Sequence, residues 1–174
     1  FQPLTLPLQS DAMCESKQLR AVHLRIENNV YTGLKTLMKK ANVPLKSILL
    51  AGHIKVMSLV SDQHDFLTGI PTNGRYEGKG GDKQYGLFIN TLPFRQKLND
   101  GSWQTLIQHT FALECDLIPH RRFPLAEVQR LVGREKALLE DVLFNYMDFH
   151  VYEALCPELG LSVKDNLRTD QVHE

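Results

Sequence analysis

Hydrophobic and polar positions show two kinds of periodicity, which alternate along the chain from residue 18 onward. Short apolar runs or strict alternation between turn residues are typical of strands, and apolar residues three and four positions apart are typical of helices. The strand pattern occurs over residues 18–26, 65–75, 86–98 and 139–152. The helical pattern occurs between residues 27 and 42, over roughly 44–61, from 102 to 118, and over 125–132.

The predicted helices have recognisable start and stop residues. Pro44 fits a first helical turn because its missing N–H is not needed there. Ser102 follows the Asp100-Gly101 turn and is a good N-cap residue for the helix behind it. Pro119 and Pro124 interrupt the helical pattern, which predicts a break before the last short helix.

The helix predicted over 44–61 has apolar residues on most of its sides, which indicates a central, largely buried element. His53 lies within it, and buried polar groups are usually hydrogen-bonded. We therefore interpret His53 as a core histidine. Strands that alternate with helices predict an α/β (mixed α+β) class, with a central mixed sheet flanked by helices.

Composition narrows the classes of function. The chain has 174 residues, 43% of them hydrophobic and 23% charged, with a formal net charge of zero. This length suits one domain or one lobe of a larger domain. No basic stripe is present, so a nucleic-acid partner is not expected. The most apolar run, residues 48–60, is too short to cross a bilayer, so we expect no membrane partner and a cytoplasmic protein.

Common site motifs are missing from the sequence. The three cysteines are widely spaced without a CxxC pair, so no metal site is predicted. There is no GxSxG elbow and no HExxH motif, and the glycine-rich stretch 74–85 lacks the lysine-serine ending of a phosphate-binding loop. His64 and Asp65 are adjacent, and neighbouring strand side chains point to opposite faces, so we interpret them as a surface pair.

Four segments, in order, resemble the condensation domains of nonribosomal peptide synthetases. Residues 45–75 end in GIPTNGR, which is similar to a GTPxxGR-type turn of that family. Residues 86–95, GLFINTLPFR, resemble its GxFxNTLPxR motif, and HRRFP within 102–133 resembles its HxxxP segment. The stretch VLFNYMDFHVY at 142–152 resembles the following lFNY strand. Together the matches cover about residues 18–152.

The resemblance implies one lobe of a chloramphenicol acetyltransferase-like fold, in which two lobes form a V around an active-site tunnel. The matched segments belong to the C-terminal lobe, so residues 1–174 would be that lobe, truncated at both ends, with 1–17 linker-like and 153–174 a weakly patterned tail. The family's catalytic HHxxxDG motif belongs to the N-terminal lobe, and this chain has no adjacent histidines. We therefore expect no catalytic residue here and a missing N-terminal lobe as partner, without which the fragment would be inactive.

The implied reaction is amide-bond formation between two substrates held by carrier proteins. A donor acyl or peptidyl thioester is attacked by the amine of an aminoacyl acceptor, and both hang from phosphopantetheine arms of the carriers. The chain itself is expected to bind no cofactor directly, and to form a tunnel wall and a carrier-docking surface. The GLFINTLP pattern favours condensation over epimerisation. A heterocyclising relative and a non-catalytic carrier-binding module remain alternatives.

The resemblance also points to candidate residues at the tunnel or the lobe interface. These are Gly74, Arg75, Asn90, Thr91, Arg95 and His120. Asn90 would bind substrate or the pantetheine arm, or else pair with backbone at the strand end. Arg95 would pair with the missing lobe or lie solvated at the edge. Gly74 would shape a turn through its tolerance of positive φ, Arg75 would form a structural salt bridge, and His120 would be a ligand contact or a turn residue.

Overall fold

A computed structural model describes residues 21–133 and 142–147. The helices are α1 (Asn28–Ala41), α2 (Leu45–Ser61), α3 (Trp103–Leu117) and α4 (Leu125–Val132). The strands are β1 (Asp65–Asn73) and β2 (Ile89–Lys97), and single 3-10 turns lie at Gly81–Lys83 and Ile118–His120. The predicted linker 1–17 and tail 153–174 lie outside the described residues.

The two strands form an antiparallel hairpin whose register runs from Asp65 opposite Lys97 to Asn73 opposite Ile89. A third segment lies parallel to β1, where Gly69 donates its N–H to the Val142 carbonyl at 3.1 Å and Phe144 donates to the Gly69 carbonyl at 2.9 Å. The described sheet is therefore a two-stranded antiparallel hairpin with one isolated parallel bridge beside it, and this is smaller than the central mixed sheet that the sequence predicted.

Helices cover one face of this sheet. Alternate β2 residues Leu92, Phe94 and Gln96 are buried, because successive strand side chains point to opposite faces. Phe94 packs in one core cluster with Leu50 and Ile54 of α2. A second cluster joins the first three helices around Ala41, Val43, Ile48, Ala51 and Ile107. Thus α2 is shared by both cores and is the central helix that its apolar pattern predicted.

Local sequence explains where the helices begin and end. The Ser102 hydroxyl accepts the Thr105 N–H at 3.1 Å, which satisfies one of the unpaired donors of the first turn of α3. Gly133 ends α4 with φ of 67°, a left-handed conformation that glycine adopts without strain. The predicted breaks at Pro119 and Pro124 are also present, since a 3-10 turn separates α3 from α4.

The strand predicted over 18–26 is wrong for the residues that are described. Residues 21–27 have no regular structure, and Val22 and Leu24 are 84% and 89% exposed. An alternating pattern forms a strand only beside another strand that can accept its hydrogen bonds, and none of the described strands lies there. Of the strand predicted over 139–152, only 142–147 are described, and within them Leu143 forms the bridge to β1.

Within the described residues, no single helix is both long and apolar enough to span a membrane. Helices α1 and α2 together meet the length and composition requirements, but they meet at an angle of 105°.

Candidate functional site

The candidate site is built around Asn90, near the start of β2. Its side-chain amide donates to two backbone carbonyls, Arg121 O at 3.0 Å and Phe123 O at 2.7 Å. Both carbonyls belong to the turn segment, residues 118–124, which connects α3 to α4. Asn90 therefore binds the strand end to a segment more than thirty positions further along the chain.

The turn segment returns this interaction through Arg122. Its Nε donates to the Gly74 carbonyl at 3.0 Å, and its Nη2 donates to the Arg75 carbonyl at 3.1 Å. We call this reciprocal arrangement the clamp: Asn90 holds the turn segment, and Arg122 holds the end of the β1–β2 hairpin. Four backbone carbonyls are satisfied in this way, and because three of the four hydrogen bonds are exposed to solvent, each contributes modestly to stability.

Gly74 is needed in the clamp for space. A Cβ atom at this position would lie 3.2 Å from the Phe88 carbonyl oxygen and 3.7 Å from the Arg121 carbonyl oxygen. Gly74 also donates its N–H to Phe88 O at 2.7 Å. Its φ does not fall in the left-handed region, so the predicted reason, tolerance of positive φ, is wrong. Close approach of two backbone segments is the physical cause.

Arg75 stabilises the loop that follows the hairpin end. Its Nη1 donates to the carbonyls of Gly81, at 3.0 Å, and of Gln84. Its guanidinium carbon lies 4.3 Å from the centre of the Phe88 ring, within the range of a cation–π contact. The predicted salt bridge is not among the contacts of Arg75 with the described residues. Its guanidinium group instead contacts carbonyl oxygens and the face of an aromatic ring.

Arg95 lies at the opposite end of the hairpin from Asn90. It forms a two-pronged ion pair with Asp65, with Nε to Oδ1 at 2.9 Å and Nη2 to Oδ2 at 2.7 Å. The hydrogen bond from Arg95 lowers the pKa of the Asp65 carboxyl group below its ordinary value. Within this chain, Arg95 thus has an acidic partner of its own.

The two remaining candidates lie on either side of the clamp. Thr91 is half-buried opposite Pro71, on the sheet face that Asn90 does not share. His120 is exposed at the end of the 3-10 turn, and its carbonyl accepts the Phe123 N–H at 2.8 Å. The structure therefore gathers Gly74, Arg75, Asn90 and His120 around one turn, with Thr91 on the opposite face and Arg95 at the far end.

The arginine pair of the turn segment was missed as functional by sequence reasoning. Arg122 completes the clamp, and Arg121 pairs with Glu77 at 2.8 Å. In the sequence the pair is only a short run of charge. Its position inside HRRFP, the segment that carries the family resemblance, was the available signal.

His53 is half-buried at the edge of the core rather than inside it as predicted, but it is hydrogen-bonded as expected. Its Nε2 lies 3.2 Å from Thr68 Oγ1, and that hydroxyl donates to the Val142 carbonyl at 3.3 Å. The imidazole also packs against the Phe144 ring at 5.4 Å between centres. Burial lowers the pKa of His53 below its ordinary value.

The polar groups of the clamp have a structural role. The amide and guanidinium groups of the clamp are engaged with backbone oxygens. In residues 21–133 and 142–147, no group of three or more histidine, cysteine, aspartate and glutamate side chains is placed to hold a metal ion. The arrangement defines the position of the turn segment and of the exposed residues it carries.

Comparison with known proteins assigns the family. The model of the family described as "Condensation domain" matches residues 1–164. The AMB antimetabolite synthetase AmbE of Pseudomonas aeruginosa is 34% identical over 148 residues, covering 85% of this chain and 7% of that protein. Tyrocidine synthase 2 of Brevibacillus parabrevis is 26% identical over 168 residues, covering 93% of this chain and 5% of that protein.

Solved structures show the same fold at low identity. The first condensation domain of the CDA synthetase aligns with a TM-score of 0.59 at 21% identity, over 67% of this chain and 26% of that one. The four-domain nonribosomal peptide synthetase holo-AB3403 aligns with a TM-score of 0.70 at 18% identity, over 75% of this chain and 10% of that one.

The chain belongs to the condensation-domain family, and its helices and small sheet have the fold that such domains share. It spans less than a tenth of the two synthetases compared by sequence.

Proposed function

We propose that this chain is the C-terminal-lobe part of a condensation domain and that the complete domain forms amide bonds in nonribosomal peptide synthesis. The observation that carries the proposal is the clamp. It joins the NTLP strand, through Asn90, to the HxxxP turn segment, through Arg122. Two segments that resemble the family separately in sequence thus meet in one place, together with the Gly74-Arg75 turn.

The proposed reaction transfers an acyl group from sulfur to nitrogen. The acceptor amine attacks the carbonyl carbon of the donor thioester, the new C–N bond forms, the C–S bond breaks, and the donor arm leaves as a thiol. Two tethered reactants held in register avoid much of the entropy loss of a bimolecular step, which can be worth roughly 7–11 kcal/mol. This chain would contribute one wall of the tunnel, and the clamp would keep that wall rigid.

The partners of the proposed domain are an N-terminal lobe with the HHxxxDG motif and two carrier proteins, donor and acceptor. The carriers would deliver their substrates on phosphopantetheine arms, so this chain would hold no resident cofactor. The names of the relatives, which are peptide or antimetabolite synthetases and synthases, support a multidomain setting. We also propose that the synthetase works in the cytoplasm.

The test is an isosteric substitution in the synthetase that carries this chain. Asn90→Asp replaces a donor by an oxygen that faces two carbonyl oxygens, so it should open the clamp without changing side-chain volume. The readout is product formation from donor-loaded and acceptor-loaded carriers, with carrier loading measured separately. The matched control is Asn28→Asp, which changes an exposed asparagine at the start of α1.

We expect Asn90→Asp to reduce amide formation strongly while carrier loading stays unchanged, and Asn28→Asp to behave as the parent. If the parent synthetase forms no amide bond with both carriers fully loaded, the proposed reaction is wrong. A heterocyclic product would identify the heterocyclising alternative. Carrier binding without any product would support the non-catalytic module.

The isolated chain provides a second test. It should give no product above background with the same loaded carriers, because the catalytic histidine is expected on the other lobe. Turnover that rises in proportion to the amount of this chain would contradict the assignment to a C-terminal lobe.

A further inference from the structure

We propose that a groove at the end of the hairpin opposite the clamp binds the phosphate group of a small organic phosphate ester. The groove has a volume of about 460 Å³ and lies where the end of β2 meets the start of α3. Its charged, titratable and aromatic lining residues are Lys55, His64, Lys97, Asp100, Trp103 and His109. None of the candidate residues suggested by the family resemblance lines it.

The charges that face the groove favour an anion. Lys55 and Lys97 supply two positive charges and Asp100 one negative charge, which leaves the lining with one net positive charge when both imidazoles are neutral. Neither lysine has an ion-pair or hydrogen-bond partner among the described residues. Cationic side chains that outnumber the acidic ones on a concave surface attract anions from solution.

The acidic residue opposite Lys97 in the hairpin, Asp65, already has a hydrogen-bond partner. Asp65 stands directly opposite Lys97 in the hairpin, but both of its carboxylate oxygens accept hydrogen bonds from Arg95. The charge of Lys97 contributes to the lowered pKa of Asp65, but the hydrogen bonds that this carboxylate accepts come from Arg95, so the Lys97 ammonium group can still donate to a ligand. A phosphate group, with several acceptor oxygens, can receive hydrogen bonds from both lysines and from an imidazole N–H at once.

The aromatic wall indicates that the ligand carries more than phosphate. Trp103 lines the groove and is 59% exposed, so much of its aromatic side chain is accessible from solvent. Flat apolar groups stack favourably on such a surface, and small-molecule sites combine apolar walls with a few polar anchors. We therefore expect a phosphate monoester with a planar organic group to bind more tightly than inorganic phosphate.

The groove is independent of the clamp. Lys97 lies seven residues beyond Asn90 along β2, which is roughly 23 Å at about 3.3 Å per residue. A ligand here would not touch the turn segment. The proposed phosphate site and the proposed condensation reaction can therefore be tested separately.

The single tryptophan makes the test direct. The chain contains one Trp, so the indole N–H signal in a ¹⁵N-correlated NMR spectrum belongs to Trp103 without further assignment. We would titrate the protein with inorganic phosphate, with adenosine 5′-monophosphate and with adenosine, each at constant ionic strength set with sodium chloride. We expect saturable shifts with phosphate and with the monophosphate, tighter binding of the monophosphate, and no saturable shift with adenosine.

Charge-removing variants then locate the site. Lys55→Gln and Lys97→Gln should each weaken monophosphate binding roughly two- to fivefold, as expected for partly exposed charge pairs. The matched control is Lys35→Gln, since Lys35 is an exposed lysine of α1 that packs over Tyr31, outside the groove. The control should bind as the parent does.

Three results would overturn the proposal. These are no saturable Trp103 shift with either phosphate ligand, equal binding by adenosine and its monophosphate, and equal weakening by Lys35→Gln and the groove variants. An unchanged pattern of the other amide signals would confirm that each variant is folded, so loss of binding in a folded groove variant supports the site.

Discussion

The two ends of the β1–β2 hairpin use polar side chains in opposite ways. At the clamped end, Asn90 and Arg122 direct their donors to backbone carbonyls of each other's segments. At the groove end, Lys55 and Lys97 face a concave surface and have no ion-pair partner among the described residues. The same small sheet supports both ends.

This comparison shows that a residue in a family-like motif does not necessarily have a side chain that is available to bind a ligand. The motif residues Asn90 and Arg75 are engaged within the chain, so they define a shape rather than offer an empty donor. The groove lysines are not among the candidate residues of the resemblance, although Lys55 lies in the matched segment 45–75, and neither has an ion-pair partner among the described residues. At the clamped end, the family-like segments are therefore joined to each other by hydrogen bonds, while at the groove end two lysines have no ion-pair partner among the described residues.

The largest expected effect comes from breaking the core that supports both ends. Phe94 is 1% exposed and packs with Leu50 and Ile54 between the sheet and α2. Phe94→Ala should lower the free energy of unfolding by about 3–5 kcal/mol, because it leaves a cavity in a packed interior. Denaturant unfolding measures the change. Tyr85→Ala, at a fully exposed aromatic, is the control, and an equal loss in both variants would refute this packing.

The next effect should be confined to the clamped end. Asn90→Ala leaves the carbonyls of Arg121 and Phe123 without their side-chain donor, at a cost of about 0.5–1.5 kcal/mol, and Asn90→Asp should cost more because a carboxylate then faces two carbonyl oxygens. Hydrogen exchange should accelerate in the turn segment, while the Trp103 indole signal at the groove end stays in place. A shift of Trp103 as large as the changes in the turn segment would show that the two ends are coupled.

A smaller effect concerns His53, and it depends on pH. Burial lowers the pKa of His53 below the ordinary 6.5, so the unfolded state binds more protons in that range. The stabilising contribution of neutral His53 is complete above pH 6.5 and is lost as pH falls through the lower folded pKa. His53→Gln should flatten this part of the stability curve between about pH 7 and 5. Identical pH curves for parent and variant would contradict the buried imidazole.

The smallest effect is expected from the Arg95–Asp65 pair at the sheet surface. At neutral pH, Asp65→Asn should change unfolding little, since exposed ion pairs contribute weakly. The hydrogen bond from Arg95 lowers the Asp65 pKa below 3.8, so its contribution is present above that value and is lost as pH falls below it. Asp62→Asn is the control, and a large effect at pH 7 in Asp65→Asn alone would show that the pair is structurally essential.

The sequence predicted the bounds of the helices closely, but the strand that it predicted over 18–26 is not seen in the described residues of that range. Apolar periodicity, Pro44 and the Ser102 cap placed α2 and α3 within a residue or so, because helices form their hydrogen bonds within one segment. The strand predicted over 18–26 is wrong over its described residues, 21–26, for the converse reason. A strand depends on a neighbour that is distant in the chain, and its own pattern does not reveal whether that neighbour is present.

The candidate site was predictable only in part. Asn90 was identified from the NTLP pattern, with backbone pairing as one of its two interpretations, and the structure shows backbone pairing. Its partners lie in another segment, and Arg122 was not singled out. Which donor meets which carbonyl depends on the packing of α3 against the hairpin.

The sequence by itself determined the helical segments, the hairpin strands and the family. Local periodicity, capping residues and ordered motifs are properties of neighbouring positions, so they can be read without a fold. Only the tertiary structure decided that Gln96, a polar residue, lies buried against Thr110, that Asn90 and Arg122 form a clamp, and that Lys55 and Lys97 share a groove. Each of these pairs joins residues from different elements, and their meeting depends on how the elements pack.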